Sequence, residues 1–423
     1  MPLTFLLAVV IFIITYVIII SEKVHRTIVA LFGAILMILL GILNQEDAIH
    51  GIDFNTLGLL IGMMVIVGIA KQSGVFQYVA IWSLKIGKGK PIPIFIFLLI
   101  ITTIFSAFLD NVTTVLLIAP VMFVVADNLK LKPKPLLIGA ILLSNIGGTA
   151  TLIGDPPNIL IGSAVGLSFN EFLFNLAPIV IVIATVTIYL LYLKYRKEFI
   201  ANVESQKAIM KFNPKEAISD YSLLIKSLIV IALVLVGFFT HTFSGLEVAT
   251  IALAGAALLL LLTVNEPDEH LKEIEWTTIF FFIGLFVLVA GLEHVGAIRM
   301  LAEQVIGLTG GNFVFLTLII LWGSAIFSAV IDNIPFVATM IPLVKDIGLL
   351  SSFNIKPLWW ALALGADIGG NATIIGASAN LVVAGMAAKE GHKIGFVEYM
   401  KTAVPLTFVA LVISTIYVYL RYL

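Results

Sequence analysis

Four aspartates stand inside long apolar segments: Asp110, Asp155, Asp332 and Asp367. An ionisable side chain at membrane depth is costly, and such groups mark ion sites or proton relays by default. Asp110-Asn111-Val112-Thr113 and Asp332-Asn333-Ile334-Pro335 each follow a Phe-Ser-Ala stretch that supplies Ser106 and Ser328. Ile146-Gly147-Gly148-Thr149 and Ile368-Gly369-Gly370-Asn371 place two residues side by side that each cost roughly 1 kcal/mol in a helix interior. Unwinding there is the expectation, because a break frees backbone N–H and C=O groups for a ligand. Asp155-Pro156-Pro157-Asn158 then reads as a cap and a helix restart.

These motifs occur twice in one ungapped register, from Asp110 to Asp332, an offset of 222 residues. Gly62 and Gly284, Gly74 and Gly296, Pro120 and Pro342, Gly154 and Gly376, and Asn158 and Asn380 share that offset. The comparison ranks the candidates. Thr113 matches Pro335, so its hydroxyl serves one half only. Asp367 matches Asn145, so that position wants a polar group but not a charge. Asp155 matches Ala377, which favours a capping role. The expected ion or substrate ligands are Asp110, Asn111, Thr113, Asn145, Gly147, Gly148, Thr149, Asp332, Asn333, Asp367, Gly369, Gly370 and Asn371. Ser106, Asp155, Asn158, Ser328, Ser378 and Asn380 are assigned to support or capping.

The elements that must position these residues follow from composition. Of 423 residues, 61% are apolar and 12% charged, against about 25% charged in a soluble domain. Mean hydropathy is +1.14. The chain is an all-α polytopic membrane protein. A strand barrel is excluded by the absence of apolar/polar alternation, and the first apolar segment has no basic leader or cleavage site and reads as a retained helix. With no cysteine there is no disulfide or thiol chemistry, and a net charge of −1 offers nucleic acid no basic surface. The first copy predicts helices over roughly 3–20, 28–43, 56–71, 92–128 (two arms), 136–166 and 172–194. The second predicts them over roughly 221–240, 247–263, 276–292, 312–345 (two arms), 358–388 and 402–420.

Only about ten residues run from Pro335 to Val344, about 15 Å of helix, so each arm pair is expected to be a re-entrant hairpin. That gives five crossings plus one hairpin per copy, an odd number, and so two inverted repeats over 1–194 and 221–423. The charged stretch 195–220 is a solvated linker. Placing it in the cytoplasm gathers the basic residues there, leaving Arg299, Lys345, Lys356 and Arg421 opposite, with both termini outside. Trp359-Trp360 reads as an interfacial pair, and the six histidines as mostly solvated.

Ser106 to Thr114, Asn145 to Thr151, Gly154 to Asn158, Asp332 to Phe336 and Gly369 to Asn380 resemble the melanosomal P protein group and its prokaryotic relatives. That group lies in the ion transporter superfamily, beside the ArsB permeases, the NhaD sodium/proton antiporters and the divalent anion/sodium symporters. The resemblance implies inverted repeats with scaffold and transport parts, a homodimer, elevator-type motion and residence in a prokaryotic plasma (inner) membrane. The symporters carry Ser-Asn-Thr at their tips, whereas Asp110-Asn111 and Asp332-Asn333 look more like the antiporter branch. A proton or sodium is therefore the expected coupling ion, with sodium at Asp110, Asn111, Asp332 and Asn333.

Inverted repeats with broken helices describe a secondary transporter, here for an inorganic ion, an oxyanion or an oxyacid such as arsenite. An NhaD-type antiporter is the alternative, and an ion channel a weaker one. No cofactor is expected beyond the coupling ion. Intramembrane protease motifs are absent, with Leu152-Ile153-Gly154-Asp155 the nearest approach, so no enzyme is expected. No Lys or Arg falls in a segment placed at the midplane, so anion uptake is expected to need co-bound sodium or protons.

Overall fold

The computed structural model describes residues 3–21, 23–200, 210, 213–263 and 267–423. Among them are twenty α-helices and no strand. The first ten are α1 (Leu3–Ser21), α2 (Arg26–Leu39), α3 (Gln45–His50), α4 (Phe54–Gln72), α5 (Val75–Ile86), α6 (Pro91–Phe108), α7 (Asn111–Leu129), α8 (Lys134–Gly148), α9 (Pro156–Val165) and α10 (Phe169–Tyr195). A single 3-10 turn, Pro214–Ala217, precedes the rest. These are α11 (Tyr221–Ser244), α12 (Val248–Thr263), α13 (Pro267–Leu271), α14 (Trp276–His294), α15 (Ala297–Thr309), α16 (Phe313–Ser328), α17 (Asn333–Leu350), α18 (Lys356–Gly369), α19 (Ser378–Lys389) and α20 (Phe396–Tyr422). Nine of the described helices are long and apolar enough to cross a membrane.

Helices from the two halves interleave. One bundle packs α2 on α14 and α4 on α12, with α1 and α11 alongside. Gly284 lies against the Ala30 backbone, where a Cβ would come to 2.7 Å, and Gly62 lies against Ala252, where it would come to 2.6 Å. The two contacts repeat each other at the offset of 222, and only a missing side chain lets the axes approach so closely. The second bundle packs α6 and α7 on α8, α16 and α17 on α18, and α10 on α20. It is stapled by Lys134 to Glu398 at 2.9 Å and by Lys356 to Glu171 at 2.6 Å, one lysine and one glutamate from each half.

Local chemistry accounts for the ends of these helices. Asp53 Oδ1 accepts from the N–H groups of Asn55 and Thr56 at the start of α4. Ser168 and Glu171 form a reciprocal box at the start of α10. Pro91 opens α6 and Pro156 opens α9 at the position where a missing N–H costs nothing.

Several expectations change. The helix expected over 28–43 stops at Leu39, fourteen residues and about 21 Å long, and the chain turns into α3. Helices α5 and α15 were not foreseen, because Gln77, Ser83 and Lys85 in one and Arg299, Glu303 and Gln304 in the other interrupt the apolar pattern. Gly74 and Gly296, at φ 83° and 77°, turn the chain into them. Helix α17 does not stop at Val344 but continues through Lys345 and Asp346 to Leu350, eighteen residues in all. The ten-residue length behind the hairpin expectation is therefore not the observed one. The segment after α10 is not wholly solvated, since Phe199 is buried against Phe95 with ring centroids 4.5 Å apart. Ser219 also donates to the Gln72 carbonyl at 2.6 Å. Residues 201–209, 211 and 212 of that linker lie outside the described residues. Trp359 and Trp360 are core rather than interfacial, Trp360 meeting Phe172 edge to face at 5.2 Å.

Candidate functional site

Helix α8 ends at Gly148 and α9 starts at Pro156; α18 ends at Gly369 and α19 starts at Ser378. The tips between α6 and α7 and between α16 and α17 reach these two gaps. Ser106 Oγ donates to the Ser144 carbonyl at 2.6 Å, and Ser328 Oγ donates to the Ala366 carbonyl at 2.6 Å. Thr151 hydroxyl donates to the Ala107 carbonyl, and Thr373 to Ala329 in the same way.

Asp155 is the hub. It is fully buried. Its Oδ2 accepts from Asn111 Nδ2 at 2.8 Å and its Oδ1 from Asn333 Nδ2 at 3.3 Å, so one carboxylate holds both tips. It caps nothing with its side chain, contrary to the capping role expected of it. Pro156 and Pro157 supply no N–H, and the Asn158 N–H donates to the Asp155 backbone carbonyl at 3.0 Å, so the carboxylate is left free for the tips. Asn111 Nδ2 also donates to Asn145 Oδ1 at 3.0 Å. Asn145 in turn donates to Asn371 Oδ1 and Asn380 Oδ1, both at 2.9 Å, carrying the network from one half to the other. Asn371 donates to the Leu142 carbonyl at 3.2 Å and accepts on its own carbonyl from Tyr399 at 2.9 Å.

The other expected residues fall around this chain of amides. Asn158 Nδ2 donates to the Thr151 carbonyl at 3.0 Å, and Asn380 Nδ2 to Thr373 at 2.8 Å, each closing its own gap. Thr149 Oγ1 donates to the Asn145 carbonyl at 2.8 Å. Asp367 is fully buried, and neither carboxylate oxygen has a hydrogen-bond partner. Thr149 and Asn158 lie in electrostatic contact with it but outside hydrogen-bonding geometry. The carboxylates of Asp110, Asp332 and Asp367 all lie within electrostatic range of Asp155.

Three of the four paired glycines stay within their helices. Gly147 and Gly148 remain in α8, and Gly369 closes α18 with Gly370 just after it. Gly147 packs on the Thr103 backbone of α6, and Gly369 on the Ala325 backbone of α16. Gly147 and Gly369 let an arm approach the helix it serves, and the gaps begin at Thr149 and at Gly370.

The two tips differ. Asp110 Oδ1 accepts from the Thr113 N–H at 2.8 Å and Oδ2 from the Thr113 hydroxyl, all within its own helix start. Asp332 Oδ1 accepts from the Ile334 N–H at 3.1 Å. Its Oδ2 takes Arg26 Nη1 at 2.8 Å and Ser378 Oγ at 2.6 Å. The same Nη1 donates to Ser378 Oγ at 2.6 Å, and the guanidinium stands 4.9 Å from the centre of the Phe281 ring. Arg26 therefore corrects the expectation that no cation reaches the site. Its sequence position, opening an apolar helix beside Lys23 and His25, reads as part of the basic loop on one side of the membrane. Tyr16 was also missed: its hydroxyl donates to the Pro335 carbonyl at 2.8 Å and pairs with Thr339 Oγ1 at 3.0 Å.

Asp110, Asn111, Asp332 and Asn333 are the residues expected to hold sodium. Both amides turn N–H groups to Asp155, and both tip carboxylates are engaged elsewhere. Among the described residues, no group of three or more His, Asp or Glu side chains is arranged to hold a metal ion.

Two of the solved structures similar to this chain are a transporter and an efflux pump. The YdaH transporter of Alcanivorax borkumensis aligns with a TM-score of 0.61 over 99% of this chain and 98% of its own, at 14% identity. The MtrF efflux pump of Neisseria gonorrhoeae aligns with a TM-score of 0.61 over 100% and 95%, at 13% identity. In sequence, the chain is 42% identical to the 46 kDa membrane protein of Mycobacterium leprae over 99% of both. It is 32% identical to the human P protein over 95% of this chain and 58% of that one. Residues 16–365 match the family CitMHS, described as citrate transporter. With both tips held at one buried carboxylate and a family profile over most of its length, the chain is a membrane transporter of the CitMHS family.

Proposed function

We propose that this transporter is a secondary active one, coupled to protons or sodium and working by elevator-type alternating access. Its cargo is an inorganic ion, an oxyanion or oxyacid such as arsenite, or a carboxylate such as the citrate of the family's description. One observation carries the reading: Asp155 is shared by the tips of both arm pairs at the gaps in two helices. A pair of interrupted helices with polar tips between them is the arrangement in which transporters bind at mid-membrane. The arms are re-entrant in this reading because their tips meet gaps that divide α8 from α9 and α18 from α19, well inside each crossing. The two halves are then inverted repeats, 1–194 and 221–423, joined by a cytoplasmic linker, and the protein works as a homodimer.

The charge pairs agree with which ends share a side, and the orientation itself rests on the basic residues of the cytoplasmic segments. Lys134 with Glu398 and Lys71 with Glu273 fall on the side assigned to the cytoplasm, and Lys356 with Glu171 falls on the other. Labelling a single cysteine near Asn202, which lies outside the described residues, with an impermeant reagent on intact cells tests it. Strong external labelling defeats the orientation.

The transport test uses purified protein in liposomes with an imposed pH gradient, offered sodium, arsenite, sulfate, dicarboxylates and citrate in turn. Saturable uptake of one of them that collapses with the gradient is the expected result, and uptake indifferent to every gradient defeats the coupling. Asp110→Asn and Asp332→Asn are each expected to abolish coupled movement while leaving the protein folded. Sodium/proton exchange of the NhaD type is the second reading, favoured by the excess of buried carboxylates over cations at the centre.

A further inference from the structure

We propose that Arg26 is the anion-binding group of this transporter and that Asp332 is its built-in competitor, released by protonation. The inference rests on the transporter reading and assigns the class of ligand, a small oxyanion or carboxylate.

The geometry starts with a cleft of about 300 Å³ between the end of α1, the start of α2, the α16–α17 tip and α19. Arg26, Asp332 and Ser378 form its polar wall, and Ile19, Val330 and Leu381 are among its apolar lining. In the proposed orientation this cleft opens toward the cytoplasm. The guanidinium side chain keeps 27% of its surface accessible, whereas the Asp332 side chain keeps 11%. A single Nη1 serves both Asp332 and Ser378, so most of the planar fork that arginine uses for two-point recognition of a carboxylate or oxyanion is unspent. Ser378 Oγ already donates to Asp332 and would donate equally to an anion in that place.

The same contacts set the coupling. While Asp332 is ionised it occupies the cation, and an incoming anion meets Asp332, Asp155 and, across Arg26, Glu275. A proton taken by Asp332 removes its charge and frees Arg26, and one negative charge of the ligand replaces it. The net charge of the site is unchanged, and one proton enters with each anionic group bound. His25 lines the same cleft, so a variant must separate its contribution from that of Asp332.

Binding of radiolabelled citrate and, separately, sulfate to the purified full-length protein is measured from about pH 8 to about pH 5. Affinity in the unmodified protein is expected to rise about tenfold or more on acidification. Asp332→Asn is expected to bind at the acid-level affinity at every pH, which removal of a His25 effect would not produce. Arg26→Gln is expected to lose binding throughout, while Arg26→Lys keeps the pH trend at lower affinity. The inference is overturned if Asp332→Asn weakens binding in step with Arg26→Gln, if affinity does not move with pH, or if neither anion binds. In that last case, sodium or proton movement in the liposomes leaves the transporter reading standing. Should Arg26→Gln fail to elute as folded protein, the Asp332→Asn profile alone decides.

Discussion

The tip at Asp110 and the tip at Asp332 carry the same Phe-Ser-Ala-x-x-Asp-Asn sequence, and their asparagines meet the same carboxylate. Their aspartates nevertheless live differently. Asp110 is closed on Thr113 of its own helix, whereas Asp332 reaches across to Arg26 of the other bundle and to Ser378. The cause lies in three substitutions at the repeat offset: Val248 stands where Arg26 does, Pro156 where Ser378 does, and Thr113 where Pro335 does. Duplication supplies the frame, and a few unmatched side chains give each half its own task.

The strongest way to break this comparison is to remove what the tips share. Asp155→Leu takes one acceptor from both. Amide-to-carboxylate hydrogen bonds contribute about 1.5–3 kcal/mol each, and tenfold in rate corresponds to about 1.4 kcal/mol. Uptake is therefore expected to fall by about a hundredfold or more. Flux assays on protein that still elutes as folded test it, and a fall of less than tenfold would mean that the tips do not need a common anchor.

A smaller effect sharpens the difference between the halves. Tyr16 binds the start of α17, and its counterpart at the offset is Phe238, which makes no such bond. Tyr16→Phe makes the two sides alike. The Pro335 carbonyl keeps Thr339 as a donor at 2.7 Å, so the loss is confined to about 1 kcal/mol. Thermal denaturation in detergent should show a lowered midpoint, and an unchanged midpoint would deny this contact a share in holding α17.

The smallest expected effect concerns Glu275, just before α14, against its counterpart Asp53, just before α4. Asp53 accepts from two backbone N–H groups and from Ser163 at 2.9 Å. Burial, and after it the nearby Asp110, raises the Glu275 carboxyl above the usual range, against the opposing Thr278 and Arg26. A raised acid stabilises the fold while protonated and loses that contribution as pH rises through its folded value. Glu275→Gln should therefore unfold at a slightly higher temperature than the unmodified protein near pH 8, and the gap should close near pH 4. An equal gap at both pH values would rule out ionisation as its source.

Much of the frame was legible in the chain because its signals are local. Eight pairs of helices, from α2 with α12 to α9 with α19, start 222 residues apart, as the motifs do. The tips and gaps were legible as Asp-Asn and Gly-Gly pairs. What the glycines do was not, because close packing and unwinding ask for the same residue, and only the neighbouring Thr103 and Ala325 backbones distinguish them. The role of Asp155 was hidden because its partners are side chains 44 and 178 residues away. Arg26 was hidden for the same reason, with Asp332 lying 306 residues on. Helices α5 and α15 escaped because they are neither long nor evenly apolar.

The interleaved packing also governs how the chain can be made. Helix α2 packs against Gly284 and Gly291 of α14, which leaves the ribosome some 250 residues later. Lys134 waits still longer for Glu398. The first half must dwell in the bilayer unfinished, with short helices and unmet charges, until the second arrives. A half-length product closes α6 and α7 on α8 but leaves α2 without α14, α4 without α12 and Lys134 without Glu398.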